Sequence, residues 1–258
     1  TGDSDDGIEA GVAAINQKST ASKAMPAAGA EASGEVVAKH DHGDTTIQTF
    51  TRDDGRRIDL QKGFVNLFPV ELVRCELAFN LWEALLPAAW AHGGAGSTDV
   101  SIIDVSQADG TGFALGELSA TPGRYCGLRV ALVPVASATA APDEVDMSGS
   151  SLYVAPCYFY DDADPTKHYC FTLSVAGGSD ELLLDFASPL ELDADHRHAE
   201  LTVAVTYDGW FNGLDLEGYP AAGTAEEKTA FKAGLQANEA LKAQLRANVL
   251  EGLTARVE

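Results

Sequence analysis

The chain has 258 residues, of which 45% are hydrophobic, so it can hold one large β domain or two small ones with an ample core. Its 39 acidic and 17 basic residues give a formal net charge of −22, which attracts cations and excludes nucleic acids and anionic membranes as main partners. No apolar run reaches the roughly 20 residues that cross a bilayer, so we predict no transmembrane segment.

Residues 1–44 are rich in Ala, Gly, Ser, Lys and Asp and almost lack large apolar side chains. This composition cannot bury enough area to offset the entropy of ordering, so we predict a flexible leader. An Ala/Ser/Gly-rich tract after Thr1-Gly2-Asp3-Ser4 is typical of the tether that follows a removed signal sequence. We therefore expect an exported protein, periplasmic or on the extracellular surface, with a lipid anchor at its N-terminus.

Short β-rich segments separated by turn sequences fill residues 45–207. Asp53-Asp54-Gly55 predicts a turn between the first two strands, and Pro69 indicates a bulge or an edge in a long apolar segment. The predicted strands are 45–51, 57–60, 63–79, 100–105, 113–118, 125–135, 151–160, 168–175, 181–186 and 201–207. This pattern predicts a mainly β fold, an antiparallel β-sandwich domain over residues 45–258.

A C-terminal helical segment is predicted for about residues 224–250 of that domain, as one helix or two. Thr224 is a good N-cap, and Glu226 and Glu227 lie in the first turn, where the helix dipole favours carboxylates. The apolar stripe of this segment consists of Phe231, Leu235, Leu241 and Leu245. Before it, the Trp210-Phe211 pair is predicted to anchor the core.

The four cysteines form no Cys-x-x-Cys pair, which argues against a zinc ribbon. In an exported protein they favour two disulfides, for which three pairings exist. We favour Cys157–Cys170, which closes a short polar loop, and Cys75–Cys126, which joins two predicted strands. Free buried thiols are the alternative.

Histidines are the main candidates for chemistry. Four of the six form His-x-His pairs, His40/His42 and His196/His198, and His92 precedes a Gly-Gly turn. If the last predicted strand begins early, His196, His198 and Glu200 project from one face with neighbours roughly 6.5–7 Å apart. Imidazoles in this arrangement can share a copper, zinc, nickel or iron ion, or they can belong to a solvated strand end.

Two further patterns suggest other chemistry. Asp161, Asp162 and Asp164 offer hard oxygen ligands for calcium, or form a solvated acidic loop. The His196-x-His198-x-Glu200 pattern suggests a cupin-like metalloenzyme, although the spacing from the second histidine to the acid differs from that motif. The sequence contains no nucleophile elbow, P-loop, dinucleotide fingerprint or His-Glu-x-x-His motif, so we predict no enzyme activity.

Three segments carry a family resemblance: VNLFPVELVRC at 65–75, PGRYCGLRVAL at 122–132 and LTVAVTYDGWFNG at 201–213. In order and character they resemble the MbnP-like family of exported bacterial copper proteins. The resemblance implies a β-sandwich that binds copper through histidines, with His92 as a ligand. It also implies that Trp90 is oxidised to kynurenine by a di-haem partner enzyme. The chain lacks the aromatic-rich Trp/Gln segment that many members carry in their first half.

Together these observations predict an exported, non-catalytic protein that captures or stores copper, with Cu(I) favoured. Its ligands would come from His92, His196 and His198, with His40 or His42 as further candidates. The alternative is a structural or adhesive surface domain of a lipoprotein, and a cupin-like metalloenzyme is the third reading.

Overall fold

The structure is a computed structural model that describes residues 8–10, 33–40, 48–75, 102–105, 112–135, 145–161, 163–177, 181–196 and 198–257. For residues 8–10, 33–40 and 112 the description covers the backbone alone. The strands are β1 (Ile8–Ala10), β2 (Ser33–His40), β3 (Gln48–Thr51), β4 (Arg57–Arg74), β5 (Ile102–Asp104), β6 (Gly112–Ala120), β7 (Gly123–Leu132), β8 (Ser150–Phe159), β9 (His168–Cys170), β10 (Leu173–Ala176), β11 (Glu181–Leu192), β12 (Glu200–Val205) and β13 (Leu253–Val257). The helices are α1 (Ala225–Ala237) and α2 (Glu239–Glu251).

The strands form two sheets. The five-stranded sheet has the order β1-β6-β2-β12-β13. The eight-stranded sheet follows the path β10-β8-β4-β7-β11, with β3 and β5 also paired to β4 and β9 paired to β8. The pairing of β2 with β12 is parallel, and the other strand pairings are antiparallel. Buried side chains of both sheets belong to one core, which confirms the predicted mainly β, sandwich-like fold.

The long strand β4 is the centre of the eight-stranded sheet, because it pairs with β7 on one side and β8 on the other. It joins two strands that were predicted separately. Its pairing with β7 shifts register between Pro69 and Glu71, so the predicted irregularity at Pro69 is confirmed. Phe64 belongs to a small separate cluster with Val135 and Met147.

The C-terminal segment packs against the edge strand β10 through both helices. Thr224 forms the predicted N-cap, since its side chain accepts from the backbone N–H of Glu227 and Glu227 bonds back to the cap. The Gln236 amide bonds to both the N–H and the C=O of Ser174, at 3.1 and 3.3 Å. This side chain therefore satisfies backbone groups at the edge of the sheet.

Both favoured disulfides are confirmed. Cys75–Cys126 joins the end of β4 to β7, and Cys157–Cys170 joins β8 to β9. Beside the first, the Tyr125 hydroxyl donates to the carbonyl of Thr121, four residues upstream, at 2.6 Å. This hydrogen bond is similar to the tyrosine corner of many β-sandwiches.

Three strands were not predicted from the sequence. Residues 8–10 and 33–40 fall in the range predicted as a flexible leader, yet they form β1 and β2, and β2 lies between β6 and β12. The helical segment, predicted as one helix or two, is two helices divided at Asn238, which is the C-cap of α1 and the N-cap of α2. Strand β13, which follows α2 and pairs with β12, was not predicted.

Candidate functional site

The loop of residues 193–198 connects β11 to β12 and carries two predicted ligands. Oδ1 of Asp193 accepts from the backbone N–H groups of Asp195 and His196, both at 2.8 Å. The same oxygen lies 3.1 Å from Nδ1 of His196. The backbone hydrogen bonds hold the pKa of Asp193 below its usual value. Asp193 is therefore a carboxylate at neutral pH that fixes the turn and engages one nitrogen of the His196 ring.

Both imidazoles of this histidine loop (residues 193–198) face solvent. The side chain of His196 is 73% exposed, and His198 is exposed as well. With Nδ1 engaged by Asp193, Nε2 is the His196 nitrogen placed for an external ligand. Histidines that bind metals commonly bond to a carboxylate through their other ring nitrogen. The Asp193–His196 contact is therefore of the kind that orients a metal-binding imidazole.

The predicted strand face that would present these side chains does not exist. Strand β12 begins at Glu200, so His196 and His198 precede it. The N–H of Asp193 also donates to the C=O of His196 at 3.1 Å. This turn uses backbone groups that an earlier strand start would need, so of the two alternatives left open by the sequence the structure shows the solvated strand end and not the alternating His-His-Glu face.

His40 lies at the opposite end of β12 from the histidine loop. The backbone of His40 is opposite Val205, the last residue of β12, whereas His198 comes before its first residue. An extended chain rises about 3.3 Å per residue, so His198 and Val205 are roughly 20 Å apart. The structure therefore does not bring His40 together with the other pair.

Several predicted site residues lie outside the described residues, namely His42, Trp90, His92 and Asp162. Within the described ranges, no group of three or more His, Cys, Asp or Glu side chains is placed to hold a metal ion. Among the predicted copper ligands, only the two imidazoles of the histidine loop have side chains that the structure describes, and they lie on the same loop.

The carboxylates of Asp161 and Asp164, predicted as calcium ligands, bond to protein donors. Oδ2 of Asp161 lies 2.6 Å from Nζ of Lys167. Oδ1 of Asp164 accepts from the N–H and the hydroxyl of Thr166, at 3.0 and 2.6 Å. These hydrogen bonds lower the pKa of both carboxyl groups. The arrangement is that of a self-satisfied acidic turn.

A second polar feature lies at the end of the eight-stranded sheet, between the β3–β4 turn and the β8–β9 loop. The guanidinium carbon of Arg57 lies 4.5 Å from the ring centroid of Phe159. The ring centroid of His168 lies 4.9 Å from the same Phe159 centroid. Arg57 donates to both oxygens of Asp59, at 2.8 and 2.6 Å. A cleft of about 300 Å³ adjoins this stack. Because Asp59 neutralises the arginine, the cleft has no strong net attraction for anions.

The sequence reasoning missed an aromatic cluster under the C-terminal segment. It consists of Tyr158, Tyr160, Tyr169, Phe171, Tyr219 and Phe231, linked by ring contacts with centroid distances of 4.4–5.9 Å. Part of this aromatic cluster could have been predicted from the favoured disulfide. An antiparallel pair that places Cys157 opposite Cys170 must also place Tyr158 opposite Tyr169, as observed.

A buried arginine stands beside this aromatic cluster. The side chain of Arg52 is 5% exposed, and Nη2 donates to the C=O of Leu214 at 2.7 Å and lies 3.1 Å from Oδ2 of Asp54. Its guanidinium carbon is 5.3 Å from the ring centroid of Tyr158. The hydroxyl of Tyr158 in turn donates to Oε1 of Glu217. A cation, a phenol and a carboxylate thus meet at one end of the sandwich.

Comparison with protein-family models, with curated proteins and with solved structures finds no match to this chain. The family resemblance therefore depends on the three quoted segments. Neither described helix is long and apolar enough to cross a membrane. The two disulfides fit a protein from outside the cytoplasm, because thiols in the cytoplasm are kept reduced.

Proposed function

We propose that this is an exported protein that captures copper at its surface through His196 and His198. The observation that carries the proposal is the Asp193–His196 pair, since a carboxylate at Nδ1 orients the ring and leaves Nε2 for the metal. Cu(I) is satisfied by two or three imidazoles, so the two exposed rings fit this ion. An exposed loop suits capture and transfer better than long-term storage.

The acidic surface supports this function. A net charge of −22 raises the local concentration of cations near the protein and speeds their arrival at the loop. Ligating imidazoles must be deprotonated, so protons compete with copper for the two rings. The family resemblance adds two further ligands, His92 and the oxidised Trp90, and both lie outside the described residues. His42, also outside them, remains a candidate.

The test is a Cu(I) titration against a colorimetric chelator for wild type, His196→Ala/His198→Ala and the control His168→Ala. His168 is another exposed histidine, whose Nδ1 lies 3.0 Å from the Pro165 carbonyl. The double variant should lose one high-affinity equivalent, and the control should keep it. Because the loop is exposed, the double variant should unfold within about 0.5 kcal/mol of wild type. Unchanged stoichiometry and affinity in the folded double variant would exclude this site.

The modification of Trp90 has a separate test. An intact mass of protein from its native host should show the gain that corresponds to conversion of one tryptophan to kynurenine. Peptide mapping should place the gain at Trp90. An unmodified mass would remove the oxidised ligand and the di-haem partner from the proposal but leave the histidine loop in place.

A structural or adhesive surface domain is the second candidate. It is favoured by the disulfide-braced sandwich and by the lack of a three-ligand group among the described side chains. Metal analysis of protein purified without a histidine tag separates the two functions. Copper bound in about one equivalent per chain supports capture, and a metal-free protein without copper affinity supports the structural role.

A further inference from the structure

Tyr158 has an environment that a purely structural tyrosine does not need. Its side chain is fully buried, with 0% exposure, and its hydroxyl donates to the carboxylate of Glu217. Tyr169 and Tyr125, which are also buried, donate instead to backbone carbonyls, at 2.5 and 2.6 Å. A backbone carbonyl is too weak a base to take the phenol proton when the ring is oxidised, whereas a carboxylate can accept it. Tyr158 is therefore a phenol whose proton has an acceptor in place.

The charges around Tyr158 couple the loss of an electron to the loss of this proton. Burial, the hydrogen bond to Glu217 and the charge of that carboxylate raise the pKa of Tyr158, so the phenol is protonated at neutral pH. The Arg52 guanidinium, 5.3 Å from the ring centroid, opposes a positive charge on the ring, although its own pairing with Asp54 at 3.1 Å reduces this effect. Oxidation of Tyr158 without proton transfer would create such a charge. With transfer to Glu217, the ring stays neutral.

Three further tyrosines connect Tyr158 with the surface. The ring of Tyr169 lies 5.7 Å from that of Tyr158, and Tyr219 stacks on Tyr169 at 4.4 Å with an interplanar angle of 15°. Tyr160 lies 5.9 Å from Tyr219. Tyr160 and Tyr219 are partly exposed, whereas Tyr169 is 2% exposed. The rings thus form a continuous path from the protein surface to a buried phenol.

We propose that Tyr158 is a redox-active tyrosine, with Glu217 as its proton acceptor and the tyrosine path as its electron route. A one-electron oxidant at the surface takes one electron, the O–H bond of Tyr158 breaks, and its proton moves to Glu217. The products are a neutral tyrosyl radical, a protonated Glu217 and the oxidant reduced by one electron. A one-electron reductant such as ascorbate returns the electron, and the proton moves back to Tyr158. Such a site takes up oxidising equivalents that reach the surface of an exported protein.

The test uses a photogenerated tris(bipyridyl)ruthenium(III) complex as the oxidant, with freeze-trapping and electron paramagnetic resonance of the radical. Wild type should give one tyrosyl signal, which Tyr158→Phe abolishes or replaces by a weaker signal with different hyperfine splitting. A hydrogen bond to a charged partner is worth about a factor of ten in an equilibrium, so Glu217→Gln should lower the radical yield about tenfold. Tyr219→Phe interrupts the path and should slow radical formation.

Tyr153→Phe is the matched control. Its ring packs on Phe64 in the small separate cluster, away from the tyrosine path, and the variant should keep the wild-type signal and yield. Each substitution nearly preserves shape, and circular dichroism checks the fold. An unchanged signal and yield in folded Tyr158→Phe would overturn the assignment. If Tyr158→Phe does not fold, an unchanged radical yield in Glu217→Gln would overturn the assignment instead. The experiment contains no copper, so its outcome is independent of the proposed copper capture.

Discussion

The histidine loop and the aromatic cluster are built in opposite ways. In the loop, Asp193 bonds to backbone and side-chain groups two and three residues away, and both imidazoles remain in solvent. The cluster draws its rings from β8, β9 and the segment around α1, and Tyr158 and Tyr169 are buried. The difference teaches that the candidate ligands His196 and His198 belong to a local, exposed feature. Stability and the buried phenol depend on contacts between distant segments.

The largest expected effects come from the disulfides. Removing Cys75–Cys126 by double alanine substitution should lower the free energy of unfolding by about 4 kcal/mol, and removing Cys157–Cys170 by about 3 kcal/mol. The order follows from the sequence separations of 51 and 13 residues, because a longer closed loop restricts the unfolded chain more. Urea unfolding measures both. If removal of Cys157–Cys170 lowers the free energy of unfolding more than removal of Cys75–Cys126 does, then the β8–β9 pair beside the aromatic cluster depends on its disulfide rather than on ring packing.

Asn248 tests how strongly distant contacts hold the C-terminal segment. Its Nδ2 donates to the carbonyls of Trp210 and Asn212, at 2.9 and 2.8 Å, and the residue is 7% exposed. Asn248→Ala leaves both carbonyls without this donor, so we expect a loss of about 2–3 kcal/mol in urea unfolding. The control Gln244→Ala removes only an exposed partner of Asn248 and should cost about 0.5 kcal/mol. Equal effects would contradict the role of the two buried carbonyls.

The N-cap of α1 is a local feature with a smaller effect. Thr224→Ala removes the acceptor for the N–H of Glu227 and should cost about 1 kcal/mol. Thr224→Ser keeps the hydroxyl and should remain close to wild type. Thermal unfolding of both variants measures the difference. A similar loss in both would mean that the threonine methyl group, rather than the cap, is responsible.

Acid should weaken the local acidic turns in a defined direction. Hydrogen bonds lower the pKa values of Asp161, Asp164 and Asp193 in the folded chain. Their contribution to stability is therefore complete above the unfolded carboxyl pKa of about 4 and is lost as the pH falls through the lower folded values. The urea midpoint of unfolding should fall as the pH is lowered from about 5 to about 2. Asp164→Asn should make the midpoint depend less steeply on pH. A midpoint that rises on acidification would contradict this assignment.

Local sequence patterns predicted much of the fold and less of the site. The turn at Gly55 is confirmed by its positive φ of 83°, and Trp210 is a core residue with 0% exposure. The bulge at Pro69 and the cap at Thr224 follow from the backbone restrictions of proline and the hydroxyl acceptor of threonine. The last strand was predicted at 201–207 and is observed as β12 at Glu200–Val205, but the early start that would carry His196 and His198 does not occur, because the turn at Asp193 is hydrogen-bonded.

By itself the sequence determined most local elements, the turn residues and the Thr224 cap, because each depends on neighbours or on a short apolar period. It favoured one of three disulfide pairings, which the tertiary structure decided. Only the tertiary structure decided that β2 lies parallel to β12 and that His40 is far from the histidine loop. It also decided that Arg52 and Glu217 meet at Tyr158. These outcomes depend on register and packing between segments far apart in the chain, for which no local pattern carries the information.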